Sequence, residues 1–230
     1  MEPKDLTPRL LYRDALMLVL DKPAGIAVHQ GPPGKGGDYL EAHFDSLRFG
    51  LPRPPGLAHR LDRDTSGCLV LGRHRKALQK LGSLFKGGRV SKTYWAIVEG
   101  EPAEQSGKID LALATLEPGR GWWMKVDPAG LPSSTLWRVL ARAEGLTWLE
   151  LQPLTGRTHQ LRVHCAAMGW PIRGDPVYGA SRNPDTQLHL HARKVIVPLY
   201  PNREPITVEA HAPPHIRAAL VRLGTDPDLV

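Results

Sequence analysis

Alternation of apolar and polar positions marks more strands than helices along this chain. Arg9 to Tyr12 and Ala15 to Leu20 read as two short strands around an Arg-Asp turn. The segment Asp21 to Gly25 ends the second, because Pro23 has no amide hydrogen to give to a ladder. Asp38 predicts the cap of a helix carrying Leu40, Phe44 and Leu47 on one face. Cys68 to Leu71 is a continuous apolar run and reads as a strand. From His74 to Phe85, residues Ala77, Leu78, Leu81, Leu84 and Phe85 fall at helical spacing, and Gly87 and Gly88 end the helix.

Between Ser91 and Gly100 the pattern predicts a strand with Tyr94, Ala96 and Val98 on one side and Trp95 and Ile97 on the other. Further strands are expected at roughly Lys108 to Leu113, Trp122 to Val126, Thr135 to Ala143 and Thr147 to Gln152. The last two are joined as a hairpin through Ala-Glu-Gly. A helix carrying Leu161, Val163, Cys165 and Met168 closes near Gly169. The tail offers strands near Leu188 to Val197 and Ile206 to Glu209, then a short helix from about Pro214. With no repeat, linker or composition break, the expectation is a single α+β domain over residues 1–230.

Composition narrows the class. Hydrophobic residues make up 41 % of the 230, which suits a globular chain, and the net charge of +7 with a pI near 9.6 suits a polyanion such as RNA, DNA or an acidic membrane surface. Cys68 and Cys165 are too few for a disulfide framework, which points to a reducing compartment. The apolar run Ala15 to Leu20 is too short for a membrane span and too broken by charge for a signal peptide. A cytoplasmic protein that does not engage membranes is expected. His164, Cys165, His189 and His191 lack the paired spacings of common zinc sites, so no metal is expected. Gly31 to Gly37 lacks the Gly-Lys-Ser/Thr ending of a P-loop and reads as a plain loop. Trp122 and Trp123 read as core with an edge able to face RNA.

Candidate chemistry gathers in three polar clusters: Lys22-Pro-Ala-Gly25, His59 to Gly67 (HRLDRDTSG), and Leu154 to His164 (LTGRTHQLRVH). Asp62 stands out, flanked by Arg60 and Arg63 at the mouth of an apolar strand, where a side chain is held more rigidly than on a long loop. Taken alone, the segment is also explained as a salt-bridged turn. A carboxylate in such a place serves either as a nucleophile or as a base, without any cofactor.

HRLD-x-x-TSG followed by TGR-x-HQLR-x-H, with Tyr94 in KTYWAIV between them, resembles the RluA-type family of RNA pseudouridine synthases over nearly the whole chain. The resemblance implies an α+β fold with a long, mixed, mainly antiparallel sheet and a central active-site cleft flanked by helices and loops. It also implies an isomerase that needs no metal or other cofactor and turns specific uridines of ribosomal or transfer RNA into pseudouridine. In this chain the family's aspartate matches Asp62, its active-site tyrosine Tyr94, and its carboxylate-pairing arginine Arg162. Arg60 matches the arginine that fills the space left by a flipped base, and Arg157 is assigned to bracing the RNA site. His59, Thr65 and Ser66 are expected to shape the loop around Asp62, and Asp64 is taken as structural. No separate N-terminal RNA-binding module of the S4 type is expected. The expected partner is RNA alone, with a monomeric protein. The loop Gly31 to Gly37 and the region Glu117 to Gly130 match nothing in the family and are candidates for target choice. A rival from another class is an RNA-binding or RNA-folding protein on the same scaffold without chemistry; it would be signalled by loss of the aspartate, tyrosine or arginine, and all three are present.

Overall fold

The computed structural model describes residues 4–31, 37–116, 123–179 and 186–225. In chain order the strands and helices begin with β1 (Leu10–Arg13), β2 (Met17–Lys22), β3 (Gly56–Leu57), β4 (Ser66–Gly72), α1 (Arg75–Lys86) and β5 (Ser91–Glu99). There follow β6 (Ser106–Asp110), β7 (Leu113–Thr115), β8 (Met124–Val126), β9 (Ser134–Ala143), β10 (Leu146–Pro153) and α2 (Gln160–Ala167). The order ends with β11 (Leu190–Val197), β12 (Ile206–Glu209) and α3 (Pro214–Arg222). Extensive antiparallel pairing and few helices make this the α+β class that the sequence predicts. Among the described residues no helix is long and apolar enough to cross a membrane.

The chain divides into two compact units, Met1–Ser91 with Ala192–His211, and Lys92–His191 with Ala212–Val230. In the first, the strand order is β1-β2-β4-β11, with β3 on β4 and β12 on β11. Met17, Val19, Cys68, Val70, Val195 and Val197 from these strands share a core with Leu81 and Leu84 of α1. That helix starts where predicted because the His74 side chain accepts from Ala77 N, and it stops at Gly87.

In the second unit the order is β5-β10-β9-β6, and β7 and β8 form a separate ribbon. β5 is buried on both faces, as its alternation requires. Ala96 and Val98 pack with Leu149, Leu151, Leu161 and Cys165, while Trp95 and Ile97 pack with Trp148, Ile216 and Leu220. Glu144 and Gly145, at φ 55° and 72°, make the predicted hairpin a two-residue turn with Ala143 paired to Leu146.

Three expectations are corrected. Asp38 caps nothing: Tyr39 is the N-cap, the segment Leu40–Leu47 is a 3-10 helix, and the Asp38 carboxylate is held by Lys4 Nζ at 2.7 Å and His43 Nε2 at 2.5 Å. The predicted strand Lys108 to Leu113 is divided, since Asp110 makes the last pairing with β9 and Leu113 turns to pair with Val126. His189 lies before β11 rather than on it. Trp122, the expected start of a strand, lies outside the described residues, as do residues 32–36 and 117–121 of the two unmatched segments. Trp123 is exposed.

Buried His189 gives the second unit a weakness in acid. Its Nδ1 lies 2.8 Å from the Gln187 carbonyl, and its ring meets the ring of His215 edge-on at 5.0 Å. Burial above all, with repulsion from His215 and Arg173, pushes its pKa down to about 4 from 6.5. Between those values the unfolded chain binds more protons than the folded one, so stability falls as the pH drops through that window. The expected loss between pH 7 and pH 5 is about 2 kcal/mol from this residue. Urea unfolding at the two pH values checks it: His189→Leu should lose less stability than the wild type, and an equal loss in both would remove His189 as the cause.

Candidate active site

The segment carrying Asp62 is fixed by a lysine forty residues away in sequence. β2 ends at Lys22, which pairs with Gly67 of β4, so its side chain points beneath the loop that precedes β4. Lys22 is 0 % exposed, and its ammonium donates to the carbonyls of Pro23 at 2.8 Å, Arg63 at 2.8 Å and Thr65 at 2.9 Å. All three of its protons are thereby used. Burial pushes the Lys22 pKa down to about 8, opposed by the charges of Asp64 and then Asp62, so the ammonium keeps its charge at neutral pH.

Other bonds complete the same loop. Thr65 N donates to the Asp62 carbonyl at 3.2 Å, closing a turn with the half-buried Asp62 at its start. Gly25 N donates to the Arg63 carbonyl, and Arg63 Nε donates back to the Gly25 carbonyl, each at 3.0 Å. The His59 ring stacks on Phe85 at 4.4 Å, and its Nε2 accepts from Val70 N at 2.9 Å. Thr65 and Ser66 are buried, and Arg60 is exposed. Gly67 has φ +103°, and a Cβ there would stand 2.3 Å from the Ala192 carbonyl oxygen, so only glycine fits where the loop enters β4. Beside this loop lies a cavity of about 690 Å³, whose lining includes Lys4, Arg9, His29, Tyr39 and Arg63.

In the second unit Tyr94 is half-buried on β5, opposite Leu151, against the cluster that holds Leu161 and Cys165. Arg162, on α2, is 4 % exposed and forms a two-bond fork with Asp175, Nε to Oδ2 and Nη2 to Oδ1, both 2.7 Å. Burial raises the Asp175 pKa, but the Arg162 bonds and charge and the backbone amides of Tyr178 and Val177 outweigh it and leave it lowered. Arg157 is exposed, its Nε donating to the Pro132 carbonyl at 3.2 Å.

Gln160 uses its whole amide on structure. Its oxygen accepts from Thr155 Oγ1 and Arg157 N, and its nitrogen donates to the Ser134 carbonyl and Thr135 Oγ1. His164 is likewise held by Ser133 and Thr135. Both cysteines are unpaired and buried. Among the described residues no group of three or more His, Cys, Asp or Glu side chains is placed to hold a metal ion.

His59, Asp62 and Thr65 thus share one loop, Ser66 opens β4 at its end, and Arg162 sits in a buried fork in the other unit. Sequence reasoning gave no role to Lys22, Asp175 or Tyr178. The signals were a lysine at the inward end of an apolar strand and the Gly-Asp-Pro-Val-Tyr-Gly turn at 174–179.

Comparison with known proteins bears on the family and the fold. The family model described as RNA pseudouridylate synthase matches residues 16–167. A Zymomonas mobilis protein described as an uncharacterized RNA pseudouridine synthase is 43 % identical over 211 residues, spanning 90 % of this chain and 95 % of the relative. The ribosomal large subunit pseudouridine synthase C of Vibrio cholerae is 35 % identical over 228 residues, spanning 93 % of this chain and 69 % of that one. Among solved structures, human RNA pseudouridylate synthase domain containing 4 superposes with a TM-score of 0.79 at 28 % identity, covering 95 % of this chain and 94 % of the other. The expected pseudouridine synthase fold is thereby established.

Replacing Lys22 with methionine keeps the length of the side chain and removes its donors, leaving the Pro23 and Thr65 carbonyls without this partner. A loss of about 2 kcal/mol is expected, part of the gross cost being returned by no longer burying a charge. Urea unfolding measures it, and a midpoint equal to that of the wild type would show that the ammonium does not hold the loop.

Proposed function

The chain belongs to the RNA pseudouridylate synthase family, and from that premise we propose that it isomerises one or a few uridines of ribosomal or transfer RNA with Asp62 as the catalytic carboxylate. Members of the family are isomerases that convert uridine in RNA to pseudouridine. The bond between ribose C1′ and base N1 breaks, the base turns, C5 bonds to C1′, and the C5 proton leaves while N1 gains one. No atom is gained or lost overall, so no co-substrate is called for.

Asp62 acts at the sugar or the base as nucleophile or as base. Tyr94 stacks on the flipped base and brings its hydroxyl to the C5 proton. Arg162 pairs with the carboxylate and aims it. Arg60 fills the place the base leaves, and Arg157 braces the RNA backbone. The whole chain serves as one catalytic domain. The observation that carries the reading is the buried Lys22 ammonium, whose bonds to Arg63 and Thr65 fix the backbone on the C-terminal side of Asp62. Rigid placement of a carboxylate is what such a reaction asks of a protein. The Vibrio relatives named for the ribosomal large subunit make ribosomal RNA the first substrate to examine.

The test is pseudouridine mapping, by carbodiimide labelling and primer extension, of total RNA from cells with and without the gene. Complementation with wild type should restore every position lost in the knockout, and Asp62→Asn should restore none. Equal restoration by Asp62→Asn would remove the aspartate from the chemistry. Arg60→Ala should lower the single-turnover rate about 10-fold while changing RNA affinity little, because its role is felt only when the base leaves the stack. An unchanged rate would end the flipping role.

A further inference from the structure

Arg162 is gripped more elaborately than a buried charge requires. Asp175, itself fully buried, is fixed by its own turn as well as by the arginine. Its Oδ1 accepts from Val177 N at 2.9 Å and Tyr178 N at 3.0 Å as well as from Arg162 Nη2, and its Oδ2 accepts from Arg162 Nε. The guanidinium also lies over the Tyr178 ring, 5.1 Å from its centre. The Tyr178 hydroxyl takes the amide hydrogen of Met124, at 2.8 Å, and meets His159 Nδ1 at 2.9 Å. His159 is the N-cap of α2 and sits at φ +51°, a conformation that a non-glycine residue keeps only when its surroundings hold it. The start of α2, the turn at 175–178 and the start of β8 thus converge on one cation. A planar fork fixes both the position and the plane of a guanidinium, as one point contact does not.

We propose that Asp175, backed by Tyr178, is a positioning residue that holds the Arg162 guanidinium in the plane from which it engages the catalytic carboxylate. The inference rests on the reading of Arg162 as the partner of Asp62. Asp175 touches neither substrate nor reacting atoms and acts through Arg162 alone.

Asp175→Asn separates positioning from turn structure by exchanging one atom. The amide oxygen at Oδ1 still accepts from Val177 N and Tyr178 N, so the turn keeps its bonds. The amide nitrogen stands where Oδ2 accepted from Nε, and two donors then face each other. On RNA from cells lacking the gene, the single-turnover rate should fall at least about 30-fold, since small misplacements of a reacting partner cost that much. RNA affinity should stay within about twofold, and the thermal midpoint should confirm folding. On an Arg162→Ala background the same substitution should add almost nothing, because residues acting as one unit are not additive.

A wild-type rate in folded Asp175→Asn overturns the proposal, and so does a full further loss on the Arg162→Ala background. Should Asp175→Asn fail to fold, Tyr178→Phe carries the test. It keeps the ring under the guanidinium and removes the hydroxyl ties, and it should slow single turnover about fivefold with affinity unchanged. A wild-type rate in that variant overturns the proposal equally. Arg162→Ala turning over at the wild-type rate is a distinct failure, because it strikes the reading of Arg162 itself and takes the proposal down with it.

Discussion

Three carbonyl oxygens converge on the Lys22 ammonium, and the loop that carries Asp62 has its shape because they do. Taking a lysine charge out of water costs several kcal/mol, and charge-assisted bonds of roughly 1.5–3 kcal/mol each offset it only if every donor is used. The lysine therefore tolerates few backbone paths. Pro23, Arg63 and Thr65 must all present their oxygens to one point. That requirement fixes the turn from Asp62 to Thr65, and Gly67 then brings the chain against the Ala192 carbonyl where no larger residue fits.

Among the described residues, the buried cations Lys22 and Arg162 solve different geometric problems, and each residue type suits its own. The acceptors around Lys22 are scattered carbonyls on separate segments, which a compact ammonium with three rotatable donors can meet. Arg162 faces one planar carboxylate, which the guanidinium fork matches with two parallel bonds at 2.7 Å. Exchanging lysine for arginine at either place would keep the charge and lose the fit.

What could be read from sequence was what local pattern determines. The alternation across β5, the stripe and glycine end of α1, the Glu144-Gly145 turn, the bounds of β12 and the start of α3 depend on neighbours a few residues apart. Clusters such as HRLDRDTSG and HQLR were visible because so many reactive side chains seldom fall together. Asp38 was misread because its partners, Lys4 and His43, win it from the helix cap through a fold-level encounter. For the same reason Lys22 was seen only as a member of the Lys22-Pro-Ala-Gly25 cluster, and Asp175 was given no role. Thr65 is 43 positions from Lys22, and nothing in the sequence between them announces that a lysine will be buried.

The residues missed are those that support the candidates found, and the asymmetry has a physical cause. A group that meets substrate must reach a surface, so it appears in polar stretches where composition draws attention. A group that fixes the first one must be buried and satisfied, so it can stand at the inward end of an apolar strand, like the lysine that ends MLVLDK. Its polarity there is costly to keep, which makes it more informative than any one exposed arginine. In an α+β chain of this kind, a charged residue at an inward strand position is therefore a pointer to the loop it holds. Here that loop is the one bearing Asp62, with Lys22 paired to Gly67 at the strand edge.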